Sequence, residues 1–172
     1  MRPGHNLVGM GEGENNDHEQ TDHQLLKHLV VRQGPDGFFA ALVATVNAHP
    51  EVSVNVTLMV GGAVVCGVVE SGEAWFEAQR QALEATQPGM GPVFDGTIER
   101  YRELREWAAS TSVDERTDDD RDRTIPTYVH LRDVDIWAPD GTRFGVLSDM
   151  RWRCRLVAVD GWMFGTLREN TS

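Results

Sequence analysis

Residues Val52 to Glu70, reading VSVNVTLMVGGAVVCGVVE, constrain the fold more than any other stretch of the chain. Val52, Val54, Val56, Leu58 and Val60 occupy every second position with Ser53, Asn55 and Thr57 between them, the period of a strand with one buried face. Gly61-Gly62 supplies backbone of positive φ without a Cβ clash, and a second β-branched run, Ala63 to Val69, follows at once. The stretch is therefore predicted to be a hairpin. Its second strand is apolar at nearly every position, which predicts cover on both faces, by the sheet interior and by a helix. The hairpin reads as core and not as a site of chemistry.

Helical signals flank the hairpin. Asp36 can cap a helix whose inner face is Phe39, Leu42, Val43 and Val46 and which stops before Pro50. Ser71 is a second N-cap, with Glu73 in the favourable first turn and Trp75, Phe76, Gln79 and Leu83 following at helical spacing to about Ala85. Phe94, Ile98, Tyr101, Leu104 and Ala108 define a third amphipathic helix after a Pro- and Gly-rich loop. Upstream, Leu25, Leu26, Leu29 and Val30 predict a short helix over Thr21–Gln33, behind a tail at 1–20 too polar to offset chain entropy. Residues 110–126 carry six carboxylates and three arginines and are expected to be a disordered acidic linker inside a single domain spanning 21–172.

The strand period resumes at Thr127. Val129 and Leu131 share one parity, Val134 and Ile136 the other, and this slip predicts a β-bulge that bends the strand. Trp152, Cys154 and Leu156 then alternate with Arg151, Arg153 and Arg155. Val159-Asp160-Gly161-Trp162 reads as a tight hairpin returning through Met163 to Leu167, because Asp-Gly suits a type I′ turn. With about five strands and several helices, the expected fold is α+β, a small bent antiparallel sheet or an Sm/SH3-like barrel with helices packed on it.

Two resemblances emerge from these pieces. The segments FFAALVATVNAHPEVSVNVTLMVGGAVVCGVVESGEAWF, YVHLRDVDIW and RWRCRLVAVDGWMFGTL resemble the gas vesicle accessory protein GvpU family over about residues 38–86 and 127–167. VDGWMFG, from Val159 to Gly165, is the most specific part. The resemblance implies a non-catalytic accessory protein acting in gas vesicle assembly or clustering, with vesicle proteins or further copies of itself as partners. At the level of fold, Val54, Val56, Leu58, Gly61 and Gly67, then Leu131, Arg132, Asp133 and Val134, resemble Sm-like barrels, with Gly67 one residue late. That second likeness implies RNA binding as the alternative function, although the Asn that stacks RNA bases in Sm proteins is not evident near Tyr128.

The residues themselves offer little for catalysis. His18, His23 and His28 recur every five positions and so rotate off any common helix face, which disfavours a metal site. His130, between Val129 and Leu131, reads as an outward-facing strand residue; an acid–base role would require Asp133 or Asp135 beside it. No phosphate-binding or nucleophile motif occurs in a fitting context, so no enzyme, cofactor or metal is expected. Cys66 and Cys154 fall in apolar strand patterns and read as small buried hydrophobes. No apolar run reaches membrane-spanning length and the amino terminus lacks a signal-like apolar core, which predicts a cytoplasmic protein, free or on vesicles. The formal net charge of −11 resides entirely before Thr127 and disfavours nucleic acid. The most suggestive surface feature is the Arg151, Arg153 and Arg155 stripe. It reads either as an exposed strand guarded against edge pairing and paired with the chain's own acidic segments, or as a grip for carboxylates or phosphates of a partner, flanked by Trp137 or Trp162, with Trp162 beside the turn as the aromatic anchor. Trp152, Trp162, Met163 and Phe164 are read mostly as core, with Trp162 the one chosen as an interface anchor.

Overall fold

Strand β1 (Val54–Val60) and strand β2 (Ala63–Glu70) form the expected hairpin, with Val54 opposite Val69 and Val60 opposite Ala63. Gly61 and Gly62 turn it at φ of +56° and +82°, the two positive values a type I′ turn requires. The computed structural model describes residues 34–111, 117, 124–144 and 149–167. The expected tail at 1–20, the helix at 21–33 and most of the linker at 110–126 lie outside the described residues.

Helix α1 (Gly37–Ala48) precedes the hairpin, its first turn closed by Asp36, whose carboxylate accepts the Phe39 N–H at 2.7 Å. Phe39, Val43 and Val46 are buried against Val56, Leu58, Val65, Val69, Val129, Leu131, Val134 and Leu156. Each such side chain contributes about 1.5–3 kcal/mol relative to exposure, so this face of the sheet is where most of the fold's stability resides. Helix α2 (Gly72–Thr86) starts at Ser71, whose hydroxyl accepts the Ala74 N–H, and Asn47 of α1 accepts the Gly72 N–H at 2.9 Å. After a short 3-10 helix, Gly91–Phe94, helix α3 (Asp95–Ser110) returns along α2, with Arg102 and Arg105 both paired to Glu73. The α2–α3 pair packs on the second face of the sheet, at the end where β2 stops.

Strand β3 (Tyr128–Trp137) pairs with β2 along most of its length. Cys66 lies opposite Asp135 and Val68 opposite Arg132, so Gly67 alone faces both Asp133 and Val134. This is the bulge anticipated from the parity slip, and Asp133 adopts φ +52° to make it. The bulge keeps Leu131 and Val134 on the same buried side despite their odd spacing. The other edge of β3 is divided between β4 (Arg143–Phe144), opposite Ile136 and Trp137, and β5 (Trp152–Arg155), opposite Tyr128 to Leu131.

Strand β6 (Gly161–Phe164) corrects the sequence reading, because it pairs with β1 and not with β5. Neither Asp160 nor Gly161 has positive φ, so there is no type I′ turn between them. Instead, Leu156–Ala158 coils as a 3-10 helix with Leu156 buried in the core, and the Asp160 carboxylate accepts the Gly61 N–H at 2.8 Å. The Asp-Gly pair thus serves to dock the chain on the β1–β2 turn.

The result is one antiparallel sheet of six strands, ordered β4-β3-β2-β1-β6 with β5 also on β3. It is open, not a closed barrel, and is the bent-sheet form of the expected α+β fold. Chain length enforces the bend. Strands β5, β3, β2, β1 and β6 laid flat would place the outer pair about 19 Å apart at the usual strand spacing. The step from Arg155 to Gly161 reaches at most about 20 Å fully extended, and its 3-10 portion rises only about 2 Å per residue. The sheet must curl for the connection to close.

Candidate functional site

Trp162 lies on the core-facing side of β6, half-buried at the rim of the sheet. Its indole stacks on Phe39 of α1 at 5.0 Å and, nearly parallel, on Phe38 at 5.7 Å, while Phe164 meets it edge-on at 5.1 Å. Phe39 is buried, but Phe38 is 65% and Phe164 58% exposed, so the aromatic stack runs from the core out to solvent. On the opposite face of the same edge Met59, Met163 and Leu167 are each about half exposed. Half of the large exposed hydrophobics among the described residues therefore gather at this one edge. From Gly161 to Leu167 no side chain carries a charge.

The expectation that Met163 and Phe164 belong to the core is corrected here. Both lie on β6, the last strand in the sheet order, which among the described residues has no neighbour on its far side. The neighbouring doublet Phe38-Phe39 carried an available signal, since residues one apart on a helix point about 100° apart and cannot both face the core.

The three arginines occupy a different part of the molecule, around β5 and the α2–α3 pair. Arg151 donates through Nε to Glu70 Oε1 at 3.2 Å. Glu70 is nearly buried; burial raises its carboxyl above the ordinary value while Arg151 and Arg132 pull it down. Arg153 lays its guanidinium over the Tyr128 ring at 3.6 Å and toward Phe76 at 5.2 Å. Arg155 is exposed, opposite Tyr128 in the ladder. The strand alternation was legible, but two of the three side chains are already engaged within the chain. Trp162 does not flank them, because it packs on the core-facing side of the sheet while Arg153, opposite His130 in the ladder, reaches over Tyr128 and Phe76 on the other face. Trp137 is instead met by Arg143 at 5.5 Å. Tyr128 lies beneath Arg153, and no observation favours an RNA-binding surface.

His130 departs furthest from its expected position. It is fully buried, enclosed by Trp75 and Phe76 of α2 and Tyr101 of α3 at ring distances of 5.4–5.8 Å. Helices distant in sequence cover this end of the second sheet face, which strand alternation cannot reveal. Neither ring nitrogen has a hydrogen-bond partner, and burial followed by repulsion from Arg153 holds the imidazole down to about 3. The carboxylates an acid–base role would require are bound elsewhere, Asp133 to Arg132 and Asp135 to Arg143. No acid–base pair is assembled around His130.

Cys66 is buried with its Sγ 3.2 Å from Thr57 Oγ1, and burial pushes the half-buried Cys154 thiol up to about 11, far from a reactive thiolate. No group of metal-ligating side chains occurs among the described residues, and no helix there is long and apolar enough to cross a membrane.

No solved structure and no curated protein sequence matches the chain. A family model described as gas vesicle protein GvpU-like matches residues 36–167, which span α1, all six strands and the helices between them. The chain belongs to the gas vesicle protein GvpU-like family.

Proposed function

We propose that the protein is a non-catalytic gas vesicle accessory protein that acts in the cytoplasm on vesicle assembly or clustering, through protein–protein contacts. The observation that carries this reading is the uncharged aromatic and methionine edge around Trp162. Buried aromatics flanked by exposed ones are the anchors on which protein interfaces concentrate their binding energy. Family membership supports the vesicle as the setting for those contacts. Arg155, with Arg151 and Arg153 behind it, is the second contact in this proposal and faces an acidic segment of a vesicle protein or of another copy.

Flotation tests the reading. Isolated gas vesicles rise by buoyancy and carry bound protein with them. The protein is expected to rise with vesicles at low salt and to persist at moderate salt, because an apolar contact is not screened while an arginine–carboxylate contact is. Arg155→Gln should weaken the salt-sensitive part by about twofold to fivefold, the range of an exposed ion pair. Protein left behind at both salt concentrations would overturn the proposal.

A further inference from the structure

The same edge determines a partner, and this inference deepens the reading above by naming it. Among the described residues no strand pairs with the far side of β6. Gly165 donates its N–H to the Asn55 carbonyl at 2.8 Å, which sets the alternation along the strand. Odd-numbered residues direct their backbone groups at β1, so Trp162 and Phe164 direct theirs outward. An edge of this kind is normally blunted by a lysine, a proline or an inward charge. Gly161 to Leu167 contains none of these.

We infer that β6 pairs antiparallel with β6 of a second copy of this chain, about a two-fold axis through Met163. The register is self-complementary. Trp162 then lies opposite the second copy's Phe164 and Phe164 opposite its Trp162, so the residues with outward N–H and C=O groups meet each other and exchange four backbone hydrogen bonds. Side chains directly opposite share a face. Each Trp162–Phe164 pair becomes an aromatic cross-strand contact continuous with Phe38, and the two Met163 side chains meet on the other face.

Area and charge both favour this occupant. Phe38, Met59, Met163, Phe164 and Leu167 are 50–65% exposed. Side chains of this size expose about 100 Å² each at such fractions, so two copies would cover on the order of 1,000–1,200 Å², the lower end of what a specific interface needs. Copies of a chain with net charge −11 repel one another at long range, and this uncharged edge lets two meet without bringing like charges into contact. Salt should therefore strengthen the pairing, the opposite of its effect on an arginine–carboxylate contact.

Sedimentation equilibrium of the full chain without vesicles, from a few to a few hundred micromolar and at two salt concentrations, tests the inference. The expected result is a monomer–dimer equilibrium with Kd on the order of 10 µM that tightens several-fold with added salt. Phe164→Lys places two like charges within the paired edge and should weaken the dimer at least about tenfold, while its thermal transition remains cooperative. A monomer at every concentration, whether because the edge is bare or because another part of the chain covers it, overturns the inference, as does a dimer unaffected by Phe164→Lys. A monomer that still floats with vesicles would reject this pairing alone. A dimer that does not float would reject the vesicle reading alone.

Discussion

Lowering the pH from 7 to 5 should cost the fold roughly 2 kcal/mol through His130 alone, and replacing His130 with Leu should remove that sensitivity. The imidazole titrates near its ordinary 6.5 in the unfolded chain and at about 3 in the folded one. Its folded pKa is depressed, so the folded state holds it neutral and the unfolded state takes up the proton first. Stability is fully present above 6.5 and is lost as pH falls from 6.5 toward 3, where the total approaches about 5 kcal/mol. Charged groups around His130 modify the profile without reversing it. Arg153 adds repulsion, while Glu70, opposite His130 in the ladder, has a raised pKa and its protonation on acidification favours the fold. The comparison with His130→Leu separates these contributions. At pH 7 that variant should be as stable as the wild type or more so by about 1–2 kcal/mol, because two unpaired buried nitrogens are exchanged for apolar atoms of similar volume. Denaturant unfolding at pH 5, 6 and 7 measures both slopes, and a variant with the same slope as the wild type would contradict the account.

The second large effect separates two adjacent phenylalanines. Phe39→Ala should cost about 3–5 kcal/mol, whereas Phe38→Ala should cost less than about 1 kcal/mol. Phe39 is 1% exposed, packs into the sheet core and supports the inner face of the Trp162 indole; Phe38 supports only its outer part. Phe39→Ala should also shift Trp162 fluorescence to longer wavelength, since water gains access to the ring. Equal losses for the two variants would mean that the aromatic stack does not run from core to surface as described.

Much of the frame was legible because its signals are local. The β1–β2 hairpin follows from alternation and Gly61-Gly62, the helix starts from Asp36 and Ser71, and the bulge at Asp133 from a parity slip between Leu131 and Val134. Each requires knowledge of only a few neighbours. The features that escaped are set by segments far apart in sequence. Asp160-Gly161 carries a turn dipeptide, yet β1 had an unpaired edge and the core had a place for Leu156, and those tertiary requirements prevailed over the local preference. His130 obeys strand alternation and should face solvent; helices encoded some 30 to 55 positions earlier cover that face. The site was legible in part for a related reason. Trp162 could be chosen by residue type and position, but its partner Phe38 lies 124 positions away and is recognisable only once α1 is laid on the sheet. The arginine alternation was equally plain in the sequence, while the engagement of Arg151 by Glu70 and of Arg153 by Tyr128 depends on which strands are neighbours.

The central claim is that the aromatic edge at β6 is the surface through which this member of the GvpU-like family makes its contacts. Flotation of gas vesicles with the wild type and with a Phe38→Ser, Phe164→Ser double variant tests it most directly. Both side chains are more than half exposed, so the variant should unfold within about 1 kcal/mol of the wild type. The account predicts that the wild type rises with the vesicles and that the variant, which cannot pair through β6 and so loses the avidity of a two-copy assembly, is carried at least about tenfold less at moderate salt. A folded variant that rises as well as the wild type would contradict it.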